Sequence, residues 1–122
     1  MRVVVLFPVD SKRPGRGFRR EVFEVPVEVV REMLEMYRLT KNVNRAVAVP
    51  CEWVANEAAK RWCRSMGRAK DEACLNEYLD KQGERIIQQC EPSVRRWTAE
   101  AAECLKRCGM ERNCLESCVK EL

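Results

Sequence analysis

Residues 104–118 read CLKRCGMERNCLESC. Two Cys-x-x-x-Cys pairs, Cys104/Cys108 and Cys114/Cys118, flank a five-residue turn from Gly109 to Asn113. Residues four apart on a helix share a face, so each pair presents both sulfurs to one side. Cys104 with Cys118, and Cys108 with Cys114, lie symmetrically about residue 111. Folding the chain back at that point closes two bridges like rungs between short antiparallel helices. The spacing predicts a stapled α-hairpin with 104–118 and 108–114 disulfides.

The other four cysteines answer to the same symmetry. Cys63 and Cys74 are centred on residue 68.5, beside Gly67, a helix-ending residue. Cys51 and Cys90 are centred two residues later. The arm from Cys51 to Cys63 is 12 residues and that from Cys74 to Cys90 is 16. At a helical rise of about 1.5 Å per residue the mismatch is about one turn. A tilt, or a bend at Gly83, would absorb it. Four cysteines allow three connectivities; the spacing favours 63–74, with 51–90 as its complement.

Other uses of the cysteines weigh less. Four thiolates suit zinc or an iron–sulfur cluster, but most zinc sites use tighter spacing in turns. Redox catalysis lacks a Cys-x-x-Cys and any histidine to lower a thiol pKa, although Arg107 and Arg112 lie nearby. No metal and no cofactor is expected. The paired Cys-x-x-x-Cys spacing is loosely similar to disulfide-stapled α-hairpins such as plant hairpinin peptides and the small mitochondrial import chaperones. The likeness covers about fifteen residues, its five-residue gap is shorter than those chaperones use, and it implies no function.

Charge divides the chain. Residues 1–50 carry ten basic and six acidic side chains and no cysteine, whereas residues 51–122 carry thirteen of each and all eight cysteines. At 122 residues the chain is expected to form one domain. In it, 1–50 is a basic layer of β-hairpin, helix and strand, and 51–122 a Cys-rich helical layer. The longest apolar run, Val3–Val9, is far too short for a membrane span. It follows Met1-Arg2 without a small-residue cleavage site, so no secretion signal is expected. Disulfides without secretion are a trait of hyperthermophiles. Sixteen Arg against seven Lys, three Gln and no His agree with a hot environment. The expectation is an intracellular or virion-associated protein of a hyperthermophilic archaeon or its virus. A secreted protein with its signal removed is the alternative.

The elements follow from periodicity. Arg2–Val9 is β-branched and apolar, a strand buried on both faces or nearly so. Asp10–Gly17 is a turn and Phe18–Val25 a second strand, making a β-hairpin with a long tip. Pro26 opens a helix with a Val30, Met33, Leu34, Tyr37 stripe. Arg45–Val49 is expected to be a short third strand stopped by Pro50. Pro50 then opens a helix whose inward face holds Cys51, Ala55, Ala58, Ala59, Trp62, Cys63 and Met66. Trp53 is likewise expected in the core or an interface. Another helix spans about 68–89, Glu91-Pro92 breaks the chain, and Ser93 caps the helix that ends at Gly109. A last helix runs over about 111–120. The fold class is α+β: a hairpin with a third strand and one helix, then a stapled bundle of about four helices.

Function is read from the hairpin tip. Lys12, Arg13, Arg16, Arg19 and Arg20 place five positive charges in nine residues, with Phe18 among them. Arginines on a β-ribbon track a phosphate backbone, and an adjacent aromatic stacks on a base. The plainer reading is a solvated loop whose charges keep a strand edge from aggregating. Arg95 and Arg96 beside Trp97 form a second, smaller cluster, with Trp97 on a core stripe. An enzyme is not expected: there is no histidine, and DSKRPGRGF lacks the Gly-Lys-Ser/Thr ending of a phosphate loop. The chain is therefore expected to bind DNA or RNA. The alternative is a structural or adaptor protein acting as a homo-oligomer; neither involves a membrane.

Overall fold

The computed structural model describes residues 1–8, 18–109 and 111–121. Lys12, Arg13 and Arg16 lie outside the described residues, and only the backbone is described for Phe18 and Arg19. The architecture is α+β, a two-stranded antiparallel hairpin followed by helices. Strand β1 is Arg2–Pro8 and β2 is Phe18–Glu24. Val3 pairs with Phe23, Val5 with Glu21, Leu6 with Arg20 and Pro8 with Phe18.

Successive strand residues point to opposite faces. Val3, Val5, Phe23 and Val25 are buried on the inner face, while Leu6, Arg20, Val22 and Glu24 are exposed on the outer one. The expectation that β1 is buried on both faces is therefore corrected. A lone hairpin has helices beneath one side only, so its second face meets water. Val25 N–H donates to Met1 C=O at 2.8 Å. In the alternating ladder this directs the free backbone groups of Leu6 and Val22 outward along the two edges. Helix side chains meet both. Leu6 N–H donates to Gln89 Oε1 at 3.0 Å, and Arg61 Nη1 donates to Val22 C=O at 3.2 Å.

Helix α1 (Val27–Thr40) follows Pro26 and buries Val30 and Met33. Tyr37, the last member of its expected stripe, is exposed. The third strand expected at 45–49 does not form. Those residues belong to α2 (Val43–Ser65), whose Asn42 side chain accepts from Arg45 N–H at 3.3 Å as an N-cap. Ala46, Val47, Pro50, Cys51, Val54, Ala55, Ala58, Ala59 and Cys63 form one continuous buried helical face. That long stripe overrides a five-residue β-like window. Pro50 lacks the N–H that would reach Ala46 C=O, a defect of about 3 kcal/mol in a helix interior. Its complete burial in the same stripe offsets this. Helix α2 also runs unbroken across residue 50, where the charge composition changes.

Gly67, at φ 72, turns the chain after α2. Helix α3 (Glu72–Tyr78) begins later than expected because Asp71 caps it, accepting from Ala73 and Cys74 N–H at 3.0 and 3.2 Å. A π-helical segment, Leu79–Gly83, joins α3 to α4 (Glu84–Cys108). The irregularity thus falls at Gly83, as a π-helical segment. A π turn takes more residues per turn than an α turn, so the 16-residue arm is shortened toward its 12-residue partner. The break expected at Glu91-Pro92 is absent: α4 passes through Pro92, and Ser93 is interior to it, not a cap. The buried stripe Ile86, Cys90, Val94, Trp97, Ala101 holds the helix together while Pro92 stays on the exposed side. Gly109 ends α4, and α5 (Arg112–Glu121) returns along it.

All eight cysteines are paired. The bridges are 51–90, 63–74, 104–118 and 108–114, with Cα separations of 5.5, 6.1, 6.1 and 5.3 Å. They coincide with the rungs that the spacing favours. One core cluster lies between the hairpin, α1, α2 and α4, with Phe23, Val54 and Val94 fully buried. A smaller one, around Leu115, Cys108 and Cys118, is completed by Val27 and Leu34 of α1. An Arg112–Glu28 ion pair closes the same α1–α5 contact at the surface.

Candidate nucleic-acid interface

Of the residues singled out at the hairpin tip, Phe18, Arg19 and Arg20 fall at the far end of the ladder. Arg20 lies opposite Leu6, is exposed, and makes no ion pair among the described residues. Arg19 lies opposite Phe7, and Phe18 opposite Pro8. The link from this strand to the helices is a residue that sequence reasoning misses. Arg61, near the end of α2, reaches the same strand. Its guanidinium lies 4.0 Å from the centre of the Phe23 ring, and Nη1 is 3.1 Å from Glu21 Oε2. The hydrogen bond to Val22 C=O completes the arrangement. A planar, weakly hydrated guanidinium can lie over the Phe23 ring while Nη1 donates to both Glu21 and Val22, which suits this geometry better than an ammonium would.

Arg61 belongs to a second basic run. Residues 60–70 read KRWCRSMGRAK, with five basic side chains and no acid. Lys60 is paired with Glu57 and Arg68 with Asp71, at 3.2 and 2.9 Å. Arg64 and Lys70 are exposed and make no ion pair among the described residues. Arg64 lies one turn beyond Arg61 on the same side of α2. The signal for this run is present in the sequence, but its Cys63 and aromatic neighbours suggest core. Its Trp62, expected inside, is 44% exposed, and Met66 is also exposed. Trp53 is partly buried against the core, and Trp97 is buried as its stripe implies.

The Trp62 ring packs against Tyr78, with ring centres 5.8 Å apart and planes tilted by 31°. Tyr78 is buried, and that burial pushes its phenol up to about 12, against a weaker opposing pull from Arg85. Arg85 reaches back to the hairpin, donating to Leu6 C=O at 3.4 Å. The Arg68 guanidinium, then the Cys74 N–H, hold the Asp71 carboxyl below its ordinary value. The turn between α2 and α3 is thus fixed by the 63–74 bridge, a cap and an ion pair.

The opposite charge gathers elsewhere. A groove of about 620 Å³ between α2 and α4 is lined by Glu52, Glu84 and Glu91, with Ala55 and Ile87 among its apolar walls. Three carboxylates at its rim repel phosphate. Among the described residues no group of three His, Cys, Asp or Glu side chains is placed to hold a metal ion. No helix among them is long and apolar enough to cross a membrane. Compared with protein-family models, with curated proteins and with solved structures, the chain has no match.

Proposed function

We propose that this is a small, non-enzymatic nucleic-acid-binding protein of a hyperthermophilic archaeon or its virus, acting inside the cell or the virion. It grips phosphate with the basic hairpin, Lys12, Arg13, Arg16, Arg19 and Arg20, on a stapled helical base. The observation that supports the reading is the seat of Arg61 on β2. It draws the basic run at the end of α2 against the strand that carries Arg19 and Arg20, so two basic segments far apart in sequence adjoin. Phosphate binding of this kind is salt-sensitive, because each neutralised phosphate releases counterions. A salt titration of binding to mixed-sequence oligonucleotides tests it. Replacing Arg13, Arg16 and Arg19 with Gln should lower the salt slope by about 0.7–0.9 for each phosphate that the variant leaves unneutralised. Absence of binding at low salt, or an unchanged slope, would sink the reading.

A second reading has one observation of its own. Leu6 and Val22 are 41% and 43% exposed on the outer hairpin face, in successive non-hydrogen-bonded pairs. Such a face suits a homo-oligomer contact. A mass that rises with protein concentration, and stays monomeric in a Leu6→Asp, Val22→Asp variant, would favour this adaptor role.

A further inference from the structure

We infer that Trp62 is a base-stacking platform, and that the ligand of the basic surface is therefore single-stranded DNA or RNA and not a duplex. The inference rests on the nucleic-acid reading and narrows it. Trp62 stands in the middle of the basic run at the end of α2, between Arg61 and Arg64. Tyr78 supports its ring, yet 44% of the residue stays open to solvent. The neighbouring Cys63 is bridged to Cys74, one helical turn before Tyr78, so one covalent link fixes the backbone beneath both rings. Ser65 Oγ donates to Trp62 C=O at 2.6 Å, and Arg68 N–H donates to Cys63 C=O at 2.7 Å. The aromatic is thus held in place before any ligand arrives, and ordering it on binding costs little.

The charges around it favour an anionic partner. Arg64 and Lys70 make no ion pair among the described residues, and the run has no acid of its own. A nucleic acid offers both phosphate for the cations and a flat π-face for the indole. In a duplex those base faces are already stacked on their neighbours, whereas every unpaired base presents one. An exposed, pre-ordered indole beside Arg64, which makes no ion pair among the described residues, therefore selects unpaired strands.

The test is fluorescence anisotropy on full-length oxidised protein at low salt. The probes are a labelled mixed-sequence DNA 20-mer, its RNA counterpart and the matching DNA duplex, with W62A and W62F beside the parent chain. Tighter binding of the single strands is expected. W62A should weaken it by about fivefold to a hundredfold, W62F should retain most of it, and duplex binding should hardly change. Quenching of tryptophan emission by the single strands should disappear in W62F. Salt-sensitive binding that ignores both strandedness and W62A would overturn this inference alone. So would a W62A variant that alters the protein's mass in solution and not its affinity. No binding to any probe would overturn the parent reading with it.

Discussion

Cys51 and Cys90 are both fully buried and join α2 to α4 with their Cα atoms 5.5 Å apart, although 39 residues separate them in sequence. In the chain-entropy picture a bridge closing that loop contributes about 4 kcal/mol, against about 2 kcal/mol for a loop as short as 108–114. The short bridge also lies inside the loop that 104–118 already closes. Replacing Cys51 and Cys90 with Ala should therefore lower the melting temperature clearly more than the same change at Cys108 and Cys114. Calorimetry on the two double variants checks the order.

Pro92 lies in the interior of α4 on its exposed side. It removes a backbone donor and packs little in return. Pro92→Ala should stabilise the protein by about 1–3 kcal/mol, read from denaturant midpoints. Pro50, which is completely buried in α2, should not share that gain, because Ala there leaves a cavity.

Arg61 binds β2 by an ion pair, a carbonyl hydrogen bond and a ring contact. Arg61→Ala should cost about 1–2 kcal/mol, and Arg61→Lys should recover only part, because the planar stack on Phe23 is missing. Comparing the two by urea unfolding separates charge from geometry.

The Tyr78 phenol ionises only at about 12 because it is buried, above its ordinary 10. A pKa raised by folding stabilises the native state fully below the unfolded value, and that contribution is lost as pH rises from 10 through 12. Absorbance titration should show a tyrosine step near 12 that disappears in Tyr78→Phe. The same variant should unfold less steeply across that window.

The cysteine pattern makes most of the architecture legible, since a bridge demands close Cα atoms and the symmetric spacings leave few ways to provide them. The hairpin and α1 are legible from β-branched runs and a Pro-initiated stripe. The third strand fails because Arg45–Val49 is a largely apolar run of only five residues, while the helical face that claims it spans Ala46 to Cys63. Pro92 looks like a break because local sequence does not weigh it against its neighbours' buried stripe. At the candidate site the hairpin charges are plain, but Trp62 belongs to a periodicity that extends one turn past the core. The link from Arg61 to Phe23 joins residues 38 apart in sequence, which no local pattern encodes.

Because every cysteine lies at or beyond residue 51, the bridges divide the chain mechanically. Under a load applied between Met1 and Leu122, the shortest covalent path runs through residues 1–51, crosses to 90–104, and crosses again at 118. Residues 52–89 and 105–117 carry no tension while the bridges last. The hairpin, α1 and the first turns of α2 carry that load without any bridge to relieve them, and residues 1–51 can extend to about 170 Å of contour length. The basic arm thus sits on the compliant end of the molecule, and in the helices behind it the bridges leave only residues 90–104 and the last few after 118 able to lengthen.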